Sequence, residues 1–175
     1  ANEARGALGE LLYSMHGWDM ETKKWKPLVL EALKKVRGPS NAAAACARWH
    51  LGGALYSMTP WIPDPELPEI MSQDLDLLRE TRGASKAANR ARMVAAWGLT
   101  KIADRIGEES LPQMIAPLFD AYLEAKEGIR WGGSDWWLAE KAISETFLKI
   151  YSRNPRLFLE TCLAILKDPS VRGIK

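Results

Sequence analysis

Apolar residues along this chain recur every three and four positions, with polar residues between them. This is the period of an amphipathic α-helix, and no four-residue stretch alternates as a half-buried strand would. Glycine, proline and serine fall between the periodic segments, where they end one helix and begin the next. The pattern predicts eight helices, at about 3–15, 22–36, 40–59, 69–82, 86–106, 111–127, 135–151 and from 154 to the breakers at 168–170.

Two local signals refine these boundaries. The segment 60–68 holds four prolines in nine residues, and we expect an extended connector there because proline restricts both itself and the residue before it. Helix starts are marked by side chains whose oxygen can accept a hydrogen bond from a free N–H of the first turn. The predicted caps are Ser40, Ser85, Ser134 or Asp135, Asn154 and Ser170.

One segment of the chain is repeated. Residues 8–15 (LGELLYSM) return as 51–58 (LGGALYSM), with six of eight positions identical. The apolar frame recurs twice more, so the four copies are offset by 43, 48 and 44 residues. Repeats of this length are typical of stacked helical pairs. We therefore expect one all-α domain, residues 1–175, built as a right-handed superhelix of about four helical hairpins. Equivalent buried sites are expected for Leu8, Leu51, Leu99 and Ile143.

The fifth predicted helix carries the motif Arg92-Met93-Val94-Ala95-Ala96-Trp97-Gly98-Leu99, followed by Ile102. This frame of arginine, small-residue pair, leucine and isoleucine resembles the second helix of a HEAT repeat. The segment 168–172 (DPSVR) resembles the start of another such helix. At the arginine position the neighbouring helices carry Ala44 and Trp136. The resemblance to HEAT and armadillo-like proteins implies an α-solenoid whose surface binds another protein or a peptide.

Composition is that of a folded protein outside the membrane. Of 175 residues, 47% are hydrophobic and 26% are charged. No run reaches the roughly 18 apolar residues that a membrane-spanning helix needs. The first residues lack the basic-then-apolar order of a signal peptide, so we expect a cytoplasmic protein. Cys46 and Cys162 lie within apolar helical patterns and are expected to be buried free thiols.

Chemically reactive residues are few. Cys46 and His50 stand four apart on one helix, but only His16 and Cys162 remain to complete a four-ligand zinc site. The acidic residues of the proline-rich connector cannot form the closed loop of a calcium site. The sequence has no phosphate loop, dinucleotide fingerprint or nucleophile elbow. It therefore favours a protein without a metal, a cofactor or catalytic residues.

The chain has eight tryptophans, which can lie in the core or on a surface. Trp49 and Trp97 are expected at least partly in the core, because they lie within apolar helices. Aromatic and charged residues also concentrate at the start of the seventh helix and of the fifth, its expected neighbour. Tryptophan and arginine are preferred anchors of protein interfaces. The predicted binding surface consists of Arg90, Arg92, Trp131, Asp135, Trp136 and Lys141.

Charge is unevenly distributed, although the net charge is only +2. Residues 79–105 carry seven basic and two acidic side chains, whereas residues 108–127 carry five acidic and one basic. Adjacent helices could neutralise each other across the stack. Alternatively, the basic residues could line an anion-binding groove.

Three functions remain open. The first is a protein-binding scaffold without chemistry of its own. The second is a nucleic-acid-binding solenoid similar to the alkylpurine DNA glycosylases. That resemblance implies an aspartate and aromatic rings beside a cationic base, and an arginine on a phosphate. The candidates for these roles are Asp135, Trp131, Trp136 and Arg92. The third is a structural segment of a larger repeat protein, which would show apolar surfaces at the ends of the stack.

Overall fold

Helices form the regular structure of this chain. The computed structural model describes residues 2–14, 22–36, 42–83, 85–130 and 135–167. The helices are α1 (Asn2–Ser14), α2 (Thr22–Lys34), α3 (Ala42–Met58), α4 (Leu67–Glu80), α5 (Lys86–Ala103), α6 (Pro112–Arg130), α7 (Trp136–Arg153) and α8 (Pro155–Lys167). Short 3-10 helices lie at Thr59–Trp61, Asp64–Glu66 and Glu108–Ser110. These ranges contain eight α-helices and no strand, which confirms the all-α prediction.

The eight helices pack in two layers. In one layer α1, α3, α5 and α7 lie side by side in chain order, and each contacts the next. The other layer holds α4, α6 and α8, again in chain order, and α2 packs against α3. Lys26 of α2 pairs with Glu66 and with Glu69, which ties α2 to the start of α4. Consecutive helical pairs therefore stack in the order of the sequence.

The repeated apolar positions contribute to the core between the layers. Leu51, Leu99 and Ile143 have no exposed surface, as the repeat predicts. Leu8 differs, because it is only half-buried, although it packs against the same core. Its helix, α1, is the first of the layer and has α3 on one side. Position in the stack therefore explains the exception.

Glycine allows α1 to lie directly against α3. A Cβ atom on Gly9 would stand 2.6 Å from the backbone nitrogen of Leu51, and one on Gly6 would stand 3.6 Å from the Cα of Ala47. A side chain at Gly9 would therefore push the two helices apart, since packed interiors have little free volume.

Arg92 lies in the interior and not on the predicted binding surface. It is fully buried, and its guanidinium donates to the carbonyl oxygens of Thr81 at 3.1 Å and Gly83 at 2.8 Å. It also donates to Asn89 Oδ1 at 2.9 Å and lies 3.2 Å from Glu124 of α6. The carbonyl groups at the end of a helix lack intrahelical donors, and Arg92 supplies donors at the end of α4.

A second buried arginine lies at the same helix position in the preceding helical pair. Arg48, the seventh residue of α3, is buried and donates to Glu80 of α4 at 2.9 Å. Arg92 is likewise the seventh residue of α5. The sequence comparison placed Ala44 at this position, because it aligned the leucines and not the helix starts. The repeated arginine of α3 is Arg48.

The proline-rich connector is more helical than predicted. Two 3-10 helices, Thr59–Trp61 and Asp64–Glu66, replace most of the expected extended segment 60–68, and α4 already begins at Leu67. Proline also suits the first turn of a helix, and it occupies such a position in all three elements. Arg105 holds the connector in place by pairing with Asp64 at 2.7 Å.

Two of the predicted helix caps are present. Ser85 Oγ accepts a hydrogen bond from the N–H of Ala88 at 3.2 Å, and Asn154 Oδ1 accepts one from the N–H of Leu157 at 3.0 Å. Asp135 immediately precedes α7, but its carboxylate does not cap that helix. The other predicted caps, Ser40, Ser134 and Ser170, lie outside the described residues.

Two composition-based expectations concern thiols and hydropathy. Cys46 and Cys162 are free thiols, and each is half-buried where the sequence predicts burial. Within the described ranges, none of the helices combines the length and the apolar character needed to cross a bilayer.

Candidate binding surface

Arg90 and Asp135, two of the predicted site residues, form an ion pair between α5 and the start of α7. Arg90 Nε donates to Asp135 Oδ2 at 2.6 Å, and Lys86 Nζ lies 4.0 Å from the same oxygen. Only 27% of the Arg90 side chain and 16% of the Asp135 side chain are exposed. Solvent therefore screens this pair less than a pair on an open surface. The structure brings α5 and the start of α7 together at these residues.

Asp135 has an unusual backbone conformation. Its φ is 70°, in the left-handed region that residues other than glycine, asparagine and aspartate rarely adopt. The carboxylate of Asp135 bonds to Arg90 of the neighbouring helix and makes no capping bond to α7. The left-handed conformation of Asp135 thus occurs together with a side-chain contact to the neighbouring helix α5, and not with a cap of α7.

Trp49 of α3 completes the surroundings of Arg90. The Arg90 Cζ atom lies 4.5 Å from the centroid of the Trp49 ring, within the range of a cation–π contact. Trp49 also stacks with His50, with ring centroids 4.2 Å apart. Arg90 is therefore held between an indole of α3 and a carboxylate beside α7.

A second cluster lies about two helical turns further along α3 and α5. The rings of Tyr56 and Trp97 have centroids 6.0 Å apart, and Lys101 Nζ is 3.8 Å from the centroid of Tyr56. Trp97 Nε1 donates to Glu145 Oε2 of α7 at 3.0 Å. Burial lowers the pKa of the Lys101 ammonium group below its usual value. This cluster, like the first, joins three neighbouring helices.

These two clusters make up what we call the α3–α5–α7 surface, which consists of Trp49, Tyr56, Arg90, Trp97, Lys101, Asp135 and Glu145. Sequence reasoning identified only Arg90 and Asp135 as site residues. It predicted that Trp49 and Trp97 pack at least partly in the core, and this is confirmed, although both remain partly exposed. A usable signal was the seven-residue spacing from Trp49 to Tyr56 and from Arg90 to Trp97. That spacing places each pair on one helix face.

The other predicted site residues do not belong to the two clusters of the α3–α5–α7 surface. Trp136 is half-buried at the start of α7. Lys141 is 62% exposed and lies 3.9 Å from Glu145, at the edge of the α3–α5–α7 surface. Arg92 is in the interior, as described above. Trp131 lies outside the described residues.

Carboxylates neutralise most of the basic stretch 79–105. Six of its seven cationic side chains lie within 4.0 Å of a carboxylate oxygen, namely Arg79, Arg82, Lys86, Arg90, Arg92 and Arg105. Glu124 of the acidic helix α6 pairs with both Arg82 and Arg92. Lys101, the seventh cation, lies over the ring of Tyr56 instead. The geometry thus matches the neutralising arrangement more closely than an open basic groove.

Cys46 and His50 lack the electrostatics of a nucleophilic pair. Burial raises the pKa of the Cys46 thiol and lowers the pKa of the His50 imidazole. Both shifts favour the neutral groups, whereas a reactive cysteine is a thiolate beside a cation or a base. Among the residues that the structure describes, no three His, Cys, Asp or Glu side chains are grouped to hold a metal ion.

Comparison of the chain with protein-family models, with curated proteins and with solved structures gives no match. Aromatic rings, ammonium and guanidinium groups and two carboxylates suit non-covalent binding.

Proposed function

We propose that this protein is a right-handed α-solenoid of the HEAT type that binds a segment of another protein on the α3–α5–α7 surface. The architecture is supported by two layers of helices in chain order and by the buried arginine that recurs in α3 and α5. One observation carries the binding role. Three partly exposed rings, Trp49, Tyr56 and Trp97, lie on adjacent helices and contact charged neighbours. The free thiols of Cys46 and Cys162 favour the cytoplasm as the compartment.

The two tryptophans of this surface are ordered before a partner arrives. Trp49 is packed against Arg90, and the indole N–H of Trp97 is bonded to Glu145. Immobilising a flexible side chain on binding costs about 0.5–1.5 kcal/mol, and a ring that is already fixed avoids that cost. Fixed tryptophan and tyrosine side chains commonly carry much of the binding free energy of an interface. The α3–α5–α7 surface therefore has the properties of a binding site.

The charges around the rings favour a partner that brings a carboxylate. Burial disfavours the charged form of Lys101, and a carboxylate supplied by the partner would stabilise it. At the Arg90 end the charges are closer to balance, since Lys86 and Arg90 share the carboxylate of Asp135 and Glu10 of α1 lies near His50. Lys101 is therefore the cation that a carboxylate of the partner would pair with. We therefore propose that the ligand is an acidic peptide segment with an apolar or aromatic anchor.

A selection of displayed random peptides on the purified full chain tests this proposal, followed by calorimetry of the selected peptides. Acidic peptides with an aromatic or aliphatic anchor are expected to be enriched. Trp97→Ala is expected to weaken their binding by about 2 kcal/mol or more. Lys101→Gln, which leaves the rings in place, is expected to weaken binding of the acidic peptides in particular.

Trp61→Ala is the matched control, because Trp61 is 74% exposed and lies in the connector, outside the α3–α5–α7 surface. It is expected to leave peptide binding unchanged. Equal losses from Trp97→Ala and Trp61→Ala, or a selection without acidic peptides, would contradict the proposal.

A nucleic-acid-binding role resembling that of the alkylpurine DNA glycosylases is the second candidate. The favouring observation is that Arg90 and Lys101 lie over the rings of Trp49 and Tyr56. Such rings can stack with bases while the cations contact phosphates. Titration with DNA at low and moderate salt separates the candidates. A peptide-binding protein is expected to show no binding at about 50 mM salt. A nucleic-acid-binding protein is expected to bind, and Arg90→Ala should reduce the salt slope by about one.

A further inference from the structure

Exposed apolar side chains concentrate on α7 and α8. Six of them are exposed over 44–67% of their surface. One, Trp137, lies at the start of α7, and the other five are Leu148 and Tyr151 of α7 and Leu159, Leu163 and Leu166 of α8. Of these five, the residues of α7 lie next to those of α8, because the ring of Tyr151 packs edge-on against Phe158 of α8 with centroids 5.8 Å apart. We call these five residues the end face. A cluster of exposed leucines at the end of a helical stack is typical of an interaction surface.

The end face lies on the side of α7 that points away from α5. Thr146 marks the side that contacts α5, since its hydroxyl donates to the carbonyl oxygen of Ala96 at 2.9 Å. Leu148 and Tyr151 follow Thr146 by two and five residues, which corresponds to rotations of about 200° and 140° around the helix. Each earlier helix of this layer is covered on the equivalent side by the next helix. On α7 this side meets α8 at Tyr151, and Leu148 and Tyr151 still remain 67% and 44% exposed.

We propose that the end face binds the end face of a second copy of this chain, so that two stacks join end to end about a two-fold axis. The exposed side of α8 is self-complementary in that arrangement. If two copies of α8 run antiparallel with their centre between Leu163 and Ala164, Leu163 lies beside Leu163 of the second copy. Glu160 and Lys167 are equally far from that centre and are both exposed. Glu160 of each copy therefore lies opposite Lys167 of the other, and the pair forms twice in the dimer.

At the opposite end of the stack, α2 does not fit the end face. The exposed positions of α2 are mostly charged, namely Lys23, Lys24, Glu31 and Lys34. Packing them against the leucines of α8 would take these charged groups and their ion pairs, such as Lys34 with Glu69, out of water, at a cost in desolvation. Head-to-tail stacking is therefore disfavoured, whereas the two-fold arrangement buries leucine against leucine and closes at the dimer.

Sedimentation equilibrium of the full chain over a series of concentrations tests the proposal. A monomer–dimer equilibrium is expected. Leu163→Glu is expected to weaken the dimer by at least about tenfold, because it replaces a leucine that the dimer would bury with a carboxylate that faces the same carboxylate of the second copy. Leu28→Glu is the matched control, since Leu28 is an exposed leucine of α2 at the other end of the stack. The control should leave the dimer unchanged, and both variants should keep the helical circular dichroism of the wild type.

Cysteine cross-linking tests the two-fold geometry separately. In a chain with Cys46→Ser and Cys162→Ser, Leu163→Cys is expected to form a disulfide-linked dimer under mild oxidation, because the axis passes beside this residue. Leu28→Cys in the same background is expected to remain a monomer. The proposal is overturned by a wild-type chain that stays monomeric at every concentration. A ladder of growing oligomers, or equal cross-linking at positions 28 and 163, would also overturn it.

Discussion

Asp74 of α4 packs its carboxyl group against the backbone of Gly98 in α5. A Cβ atom on Gly98 would lie 3.0 Å from Asp74 Cγ, so α5 has no room for a side chain at this point. Asp74 has no exposed surface, and neither of its carboxyl oxygens has a hydrogen-bond partner among the described residues. Burial raises the pKa of Asp74 well above its usual range, because a carboxylate is poorly solvated there. The folded protein therefore keeps this group protonated to a higher pH than the unfolded chain does.

The contribution of Asp74 to the free energy of unfolding is expected to decrease as pH rises. Below the unfolded-state pKa, near 3.8, the group is protonated in both states and its contribution is fully present. As pH rises toward the raised folded-state pKa, the unfolded chain releases the proton and the folded chain retains it, so stability is lost. Asp74→Asn removes this titration. Urea unfolding should therefore show that the stability of this variant relative to the wild type increases as the pH rises from acid to neutral.

Asp76→Asn is the control for this pH dependence. The Asp76 side chain is 45% exposed and lies 3.1 Å from Arg79 on the same helix. Its replacement is expected to leave the loss of stability with rising pH in place. Parallel pH profiles for the wild type and Asp74→Asn would show that Asp74 does not titrate as its burial implies.

Gly98→Ala is expected to reduce the free energy of unfolding by about 1–3 kcal/mol, because the added methyl group meets the carboxyl group of Asp74. Removing that carboxyl group should make room for the methyl. The double variant with Asp74→Ala is therefore expected to lose less than the sum of the two single variants. A double-mutant cycle from denaturant unfolding measures this coupling, and strict additivity would mean that the two residues are not in contact.

Arg92→Met is expected to destabilise the fold by roughly 2–5 kcal/mol. Methionine keeps an apolar stem but leaves the carbonyl oxygens of Thr81 and Gly83 without the donors that Arg92 supplies. Each buried group left unsatisfied costs about 1–3 kcal/mol. Arg79→Met is the control, since Arg79 is 52% exposed in a surface ion pair and its loss should cost at most about 1 kcal/mol. Chemical denaturation measures the free energy of unfolding of both variants. Equal losses would refute the role of Arg92 as a donor to the carbonyl oxygens of Thr81 and Gly83.

The helices and two caps could be predicted because they depend on near neighbours in the sequence. The period of three and four gives the helices, and Ser85 and Asn154 act on N–H groups three residues away. The connector was less predictable. Proline fixes φ at a value that an extended segment and a 3-10 helix share, so composition alone could not distinguish them.

The candidate site could be predicted only in part. The pairing of Arg90 with Asp135 follows from the expectation that α5 and α7 lie side by side. Arg92 has the same side chain as Arg90 two positions later, yet it lies in the interior. Its burial depends on the carbonyl oxygens of Thr81 and Gly83, whose location is a matter of tertiary structure. A sequence pattern does not show where those acceptors lie.

Asp135 is expected to tolerate asparagine and glycine better than alanine. Its φ of 70° costs alanine roughly 1 kcal/mol, whereas glycine adopts this conformation freely and asparagine accepts it more readily than most residues. All three substitutions remove the charge that pairs with Arg90, so this loss is common to the three variants and does not change their order. Asparagine also keeps an oxygen that can accept from Arg90 Nε. The free energy of unfolding should therefore fall in the order Asn, Gly, Ala when the three variants are unfolded in urea. An alanine variant as stable as the glycine variant would show that the left-handed backbone does not constrain this position.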